Sequence, residues 1–339
     1  PGSPDPANTT DHGARNPRSF PNLGQGAILP AYAGQSILNL PSSLCRILGA
    51  PGLGAAPLIP EILDPLAGPN HPNPIRRVIL ILIDALSLHR LQMWVEQDSL
   101  PVWKEWIHAG LLAPLTSIVP STTSAALTSL WTGRSPAEHG IAGYELWLKE
   151  YGLVANMILH APMSFQGKSG SECQPGSLAC AGFQPETFLQ FPTLGTHLAA
   201  HNITTYALQH VSILHSGISR MLFRDASLHS FSSPTDLLIN LRQLLEATPG
   251  KRQFIWVYWG DLDHLSHHYG PDDERPRAEF TTFSLAIERL FLSRLSQQAR
   301  RDTLLILTAD HGQIATRPEP GFDLRDHPNL TRRLHIDPT

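Results

Sequence analysis

The sequence predicts an α/β protein: a three-layer sandwich with a mainly parallel central sheet flanked by helices, plus a small cap or insertion. Three observations carry this. Val78-Ile-Leu-Ile-Leu-Ile83 is an unbroken apolar run of strand length, rich in β-branched residues, as a strand buried on both faces requires. Two comparable runs, Phe254–Trp259 and Thr303–Thr308, lie far along the chain. Between the runs the apolar spacing is helical, and strands alternating with helices build parallel sheets. At 339 residues the chain can bury a sizeable core.

Taken in order, residues 1–75 hold 14 of the 30 prolines and are rich in Gly, Ala and Asn. They read as an N-terminal arm, disordered over roughly its first twenty residues and then loop-rich and wrapped around a core. After the Val78–Ile83 strand, Leu91–His108 has helical spacing and Leu115–Val119 reads as a second short strand, closed by Pro120. Ser124–Trp131 reads as a helix. The segment 151–192, rich in Gly, Gln, Ser and Pro, breaks the rhythm and reads as an excursion or cap near the site; within it, a Cys173–Cys180 disulfide and two ordinary thiols fit equally. Helix at Thr193–His201 and strand at Thr204–Leu208 follow, then a helix opened by Ser233-Pro234 and running to Glu246. Beyond the Phe254–Trp259 strand, Arg275–Gln298 reads as one long helix before the last strand.

Composition excludes several classes. Lys and Arg number 25 against 29 Asp and Glu, for a net charge of −4, and no basic block is present, so a nucleic-acid platform is not expected. No apolar run reaches the ~18 residues a membrane helix needs. Three cysteines do not make a disulfide scaffold. No signal-peptide pattern is visible, which favours the cytoplasm, while a removed leader also fits a chain that begins at Pro1.

Ligands of open α/β sheets bind beyond the carboxyl ends of the strands. Past the first strand lies Asp84; past the second, Ser121-Thr122-Thr123-Ser124 opens a helix. Past Phe254–Trp259 comes Asp261-Leu-Asp263-His264-Leu-Ser-His267-His268, and past the last strand Asp310-His311-Gly312. Carboxylates and imidazoles are ligands for zinc and similar ions. Asp263 and His267 share a helix face at i,i+4, but so do His264 and His268, and spacing does not choose between the pairs. Gly312 would permit the sharp turn that adjacent Asp310 and His311 need. Two such groups suggest two cations, the arrangement used for in-line phosphoryl transfer, with a hydroxyl at a helix start as nucleophile.

Five stretches resemble the type I phosphodiesterase/nucleotide pyrophosphatase family of the alkaline phosphatase superfamily: Val78–Asp84, Pro120–Gly133, Ser135–Ile141, Asp263–Pro271 and Leu304–Gly312. The resemblance implies an alkaline-phosphatase-like catalytic domain over residues 76–339, truncated at its C-terminus. It implies Thr123 as nucleophile, forming a phospho-threonine, with Thr122 beside it. It also implies two divalent ions, zinc by preference with manganese or iron as substitutes. One would take Asp84, Asp310 and His311, with Thr123 bridging toward it; the other would take Asp263, His267 and a late histidine. The substrate would be a small phosphoester.

Two departures stand out. The family's nucleotide-hydrolysing members carry an Asn after His-Gly-Ile that helps bind phosphoryl oxygens; here Gly140-Ile-Ala-Gly-Tyr144 has none, so the substrate differs or another donor compensates. Of the late histidines only His327 and His335 remain, neither followed by Gly. Gly52-Leu-Gly54 begins like a dinucleotide fingerprint but has Pro57 at the third position. Tyr144 and Trp147 could stack on a substrate ring, though core packing is the commoner use of such residues. The competing readings are a phosphomonoesterase, phosphonate hydrolase, phosphomutase or sulfatase on the same scaffold, and a non-catalytic anion- or metal-binding relative. The sulfatase is disfavoured because Thr123 is followed by Ser124-Ala125.

Overall fold

The structure is a computed structural model that describes residues 28–67, 74–98, 100–163, 175–317, 319, 321, 323 and 326–333. Cys173 and the first twenty residues of the arm lie outside the described residues. Helices α1 (Leu40–Ile47) and α2 (Pro60–Ala67) precede strand β1 (Arg77–Ile83). Then come α3 (Leu88–Asp98), α4 (Pro101–Ala109), α5 (Thr123–Thr132) and α6 (Pro136–His139). A small antiparallel sheet follows, from β2 (Glu145–Leu148), β3 (Leu153–Asn156) and β4 (Ala161–Pro162). The chain continues through α7 (Pro185–Phe188), α8 (Leu194–Ala199), β5 (Thr204–His210), α9 (Gly217–Leu222), β6 (Ala226–Phe231) and α10 (Pro234–Ala247). It closes with β7 (Gln253–Trp259), α11 (Asp261–Tyr269), α12 (Glu274–Ala286), α13 (Gln297–Arg301), β8 (Thr303–Thr308) and α14 (Pro328–Thr331).

The central sheet is wholly parallel, in the order β6-β5-β7-β1-β8. All seven residues of β1 are buried because helices cover both faces. Its alternation divides the core. Val78, Leu80 and Leu82 face a cluster built with α1, α5, α8 and α9, while Ile79, Ile81 and Ile83 face one built with α3, α4, α10 and α12. This is the expected three-layer sandwich.

Several local expectations are corrected. The N-terminal arm is not loop throughout: Ile37, Leu38, Leu40 and Leu44 are core residues on a 3₁₀ turn and α1, and irregular residues 48–59 link α1 to α2. Gly54 and Gly133 pack backbone to backbone, and a Cβ on Gly54 would lie 2.2 Å from the Gly133 carbonyl oxygen. The apparent fingerprint at Gly52–Gly54 is therefore a close-approach device. Leu115–Val119 is not a sheet strand. Thr116 makes a single parallel bridge to Ser36, outside the central sheet, so this segment pairs with the arm instead. The helix expected over Leu91–His108 breaks into α3 and α4 at Pro101, which cannot continue α3's hydrogen bonding. The long helix over Arg275–Gln298 ends at Ala286 and passes through a π turn, Ile287–Phe291, that keeps both end residues buried. The excursion begins at β2, earlier than residue 151, and β6 is a strand that its weak alternation did not announce.

Arg77, fully buried at the start of β1, ties the strand to its surroundings. Its guanidinium pairs with the Asp302 carboxylate and donates to the carbonyls of Leu245 (3.0 Å), Gln298 (3.3 Å) and Ala299 (2.9 Å). Removing one partner of such a set strands the others without water. Arg77→Met should lower unfolding free energy by about 3 kcal/mol, read from urea denaturation. A loss below roughly 1 kcal/mol would be that of an exposed pair.

Candidate active site

Because β7, β1 and β8 are adjacent, their carboxyl ends deliver three polar segments to one place. Asp84 directly follows β1; its N–H still donates to the Trp259 carbonyl at 3.0 Å, extending the ladder by one residue. The chain then turns at Ala85, whose φ of 62° is left-handed. That turn aims the Ala85 N–H at Asp310 Oδ1, 3.2 Å away. Asp263 lies on the first turn of α11. Asp310 and His311 follow β8, with the His311 N–H donating to Asp310 Oδ1 at 2.8 Å. Gly312 is not left-handed, contrary to its expected role in a sharp turn; a Cβ there would sit 2.8 Å from that of Ser87. It is glycine for space.

Ligand atoms of Asp84, Asp263 and His311 all fall within 4.8 Å of one another. Asp310 Oδ2 is 3.6 Å from His311 Nε2, and Asp84 Oδ1 is 3.4 Å from the same nitrogen. Thr123 begins α5, and its Oγ1 lies 3.2 Å from His311 Nε2 and 3.5 Å from Asp84 Oδ2. The structure thus gathers Asp84, Thr123, Asp263, Asp310 and His311. His267 stands at the rim, its side chain 70% exposed and its Nε2 3.4 Å from Asp263 Oδ1. On α11, His267 lies against Asp263, while His268 lies edge-on to Tyr269. His327 engages the Gly321 carbonyl at 2.8 Å, and His335 lies outside the described residues.

Electrostatics fit a cation here. Asp84 and Asp310 are fully buried, and burial, then their mutual repulsion and that of Asp263, pushes Asp84 well above the usual carboxylate range. Burial also raises Asp263, and lifts Asp310 to about 6. Asp84 Oδ1, Asp263 Oδ1 and Asp310 Oδ2 are buried oxygens that no hydrogen-bond donor satisfies. His311 Nδ1 lies 3.0 Å from the Gly312 carbonyl, which accepts the Nδ1 proton and leaves the Nε2 lone pair facing the carboxylates. The donor set is that of zinc or a similar ion.

Sequence reasoning missed three contributors. Tyr258, inside the apolar β7 run, donates its hydroxyl proton to Asp84 Oδ2, and burial keeps that phenol neutral. A lone hydroxyl beside the end of a buried strand was the available signal. Ser117 Oγ donates to the Asp310 carbonyl, anchoring the segment that leads to Thr123. Arg90 on α3 donates to the Pro271 carbonyl, to Asp272 Oδ1 (3.3 Å) and to the Gln313 carbonyl (3.3 Å). It thereby joins the loop after α11 to the loop after β8.

A parallel α/β sandwich whose strand ends converge acids, an imidazole and a helix-start threonine is the class that this fold and site define. A family model described as type I phosphodiesterase / nucleotide pyrophosphatase matches residues 78–337, and the chain belongs to that family. Among solved structures, phosphonoacetate hydrolase from Sinorhizobium meliloti, in complex with phosphonoacetate, aligns with a TM-score of 0.51 at 17% identity, covering 78% of this chain and 64% of that one. Murine ectonucleotide pyrophosphatase/phosphodiesterase 5, an inactive variant in complex with AMP, aligns with a TM-score of 0.49 at 13% identity, covering 70% and 57%. The chain thus spans 57–64% of the length of these structures, and the likeness to the phosphonoacetate hydrolase bears on fold alone. No curated protein sequence gives a significant match. No helix among the described residues is long and apolar enough to cross a membrane.

The raised acids set a pH dependence. Between about pH 4 and pH 6, folded Asp310 holds a proton that the unfolded chain has released, so metal-free stability from this cluster falls as pH rises through that window. Buried His139 and His160, held down to about 4 by desolvation, act oppositely and cost stability as pH falls below 6.5. Comparing Tm with zinc and with chelator at one pH cancels the histidines. The zinc-induced gain should be several degrees larger at pH 7.5 than at pH 5; equal gains would mean that these carboxylates do not hold the ion.

Proposed function

We propose that this chain is a metal-dependent phosphoric-ester hydrolase of the phosphodiesterase/nucleotide pyrophosphatase type, working through Thr123. The observation that carries the reading is the Thr123 hydroxyl, at the N-terminus of α5, facing His311 and buried Asp84 in the cluster that half-buried Asp263 and buried Asp310 complete. Asp84, Asp310 and His311 would hold one divalent ion, and Asp263 with His267 would begin the site of a second. Zinc suits these ligands best, with manganese or iron accepted. When bound, the ions lower the pKa of the hydroxyl and neutralise the phosphate.

The chain's own groups set the rest. The first amides of α5 and its dipole attract the phosphoryl group to Thr123. Oγ1 attacks phosphorus in line with the leaving oxygen; the bond to that oxygen breaks and the phosphoryl group rests on Thr123. Water then attacks phosphorus and releases phosphate or a phosphomonoester, restoring the hydroxyl. Tyr258 holds one Asp84 oxygen, so Asp84 presents the other to the site. The substrate is a small phosphoester, such as a nucleotide.

Thr123→Ala should lower kcat at least about a thousandfold, as loss of a nucleophile does, with zinc content and Tm nearly unchanged. Nitrophenyl esters of phosphate, phosphodiester, phosphonate and sulfate, assayed in parallel, report the substrate class. Retention of most activity in the Ala variant would remove Thr123 from the chemistry.

A further inference from the structure

We propose that His264 and His268 form a chelate on the outer face of α11 that captures a borderline divalent cation such as zinc and passes it, through His267, to Asp263. This rests on the metal-dependent reading of the site and goes beyond it, since neither histidine belongs to the cluster around Thr123. The helix sets the geometry. α11 runs unbroken from Asp261 to Tyr269, with the His264 N–H donating to the Gly260 carbonyl at 3.1 Å and the Gly270 N–H to that of Ser266 at 2.9 Å. Leu262 and Ser266 are its buried residues, so the opposite face meets water. At about 100° per residue, His267 is turned roughly 40° from Asp263, His264 about 100° and His268 about 140°. The four residues thus follow one arc from the site to solvent. His264 and His268 are one turn apart, which puts their Cβ atoms about 5–6 Å from each other. At that spacing two imidazoles can hold one ion, as the paired histidines of helical zinc sites do.

Both rings are uncommitted. His264 and His268 are exposed, and among the described residues no hydrogen bond engages either imidazole. His197 and His201 share the i,i+4 spacing but are already engaged: His197 Nε2 meets the Pro51 carbonyl at 2.8 Å, and His201 Nδ1 the His197 carbonyl at 2.9 Å. The nearest guanidinium, that of Arg275 over the Tyr269 ring, is paired with Asp273. His267 is the link inward. Its side chain is largely in solvent, yet its Nε2 is 3.4 Å from Asp263 Oδ1, a buried oxygen that no donor among the described residues satisfies. An ion moves inward by exchanging ligands one at a time, from the outer imidazoles to His267 and then to the carboxylate. The exchange consumes nothing and works in both directions, so it changes the rates of loading and loss equally and leaves the final affinity where it was.

The test follows zinc uptake by chelator-stripped protein, and zinc loss to a chelator, with a zinc-reporting dye in stopped flow. In the His264→Gln/His268→Gln double variant both rates should fall severalfold, while zinc content at saturation, tight-site affinity and Tm stay at wild-type values. Calorimetric titration of the zinc-loaded protein with further zinc should show one weaker site. Either single variant should weaken that site at least about tenfold, since losing a ligand costs no less than losing a ligand's support. Wild-type rates in the double variant overturn the relay. Absence of the weaker site from the wild type overturns the chelate itself. Stripped wild-type protein that takes up no tight zinc overturns instead the metal-dependent reading, which the other two outcomes leave intact.

Discussion

Asp84 and Asp310 repel one another where water is excluded, half-buried Asp263 adds to that repulsion, and the architecture around them exists to hold them there. Asp84 and Asp310 are completely buried, and an oxygen on each of the three acids has no donor. Such a concentration of like charge is costly in a low-dielectric pocket unless protons or cations offset it. Tyr258 satisfies one oxygen of Asp84, and the Ala85 and His311 N–H groups together satisfy one oxygen of Asp310, leaving the other oxygens facing the same space. The fold satisfies one side of Asp84 and of Asp310 and leaves the other open. That asymmetry distinguishes a binding site from a structural ion-pair network, in which both sides would be satisfied.

Rigidity comes from the layers beneath. β1 lies between β7 and β8 in full parallel register, so its end cannot shift without breaking two ladders. Arg77 anchors the far end of β1, and Arg90 ties together the two loops that leave the site on either side. Thr123 is placed differently. Its approach segment pairs with the N-terminal arm at Ser36–Thr116 and is anchored to the Asp310 carbonyl through Ser117. The arm is therefore part of the site's scaffold: Gly54 against Gly133 fixes one end of α5 and Thr116 against Ser36 fixes the approach to the other.

Much of the chemistry was legible in one dimension. An Asp following a β-branched run, an Asp-x-x-x-His on a helical turn and an Asp-His after a final strand are local patterns, because strand ends and helix faces are set by sequence neighbours. What was not legible was whether a residue type found in cores is in fact buried. Tyr144 is exposed, and its hydroxyl accepts from Asn156, twelve positions away and invisible as a partner until β2 and β3 pair. Tyr258 was hidden inside an apolar run that reads as pure core. The Leu115–Val119 run has strand composition, but pairing is decided by the neighbour available, and that neighbour was the arm.

By itself the sequence determined the buried strands, the parallel α/β class and the acids and imidazoles that follow strand ends, since burial and periodicity are properties of single segments. Only the tertiary structure decided that β7 and β8 flank β1, which alone makes Asp263, Asp84 and His311 neighbours. It also decided that His267, not His268, turns toward Asp263. The physical reason is that adjacency is fixed by ladder pairing and packing between segments remote in the chain, and no local pattern records which remote partner each segment will meet.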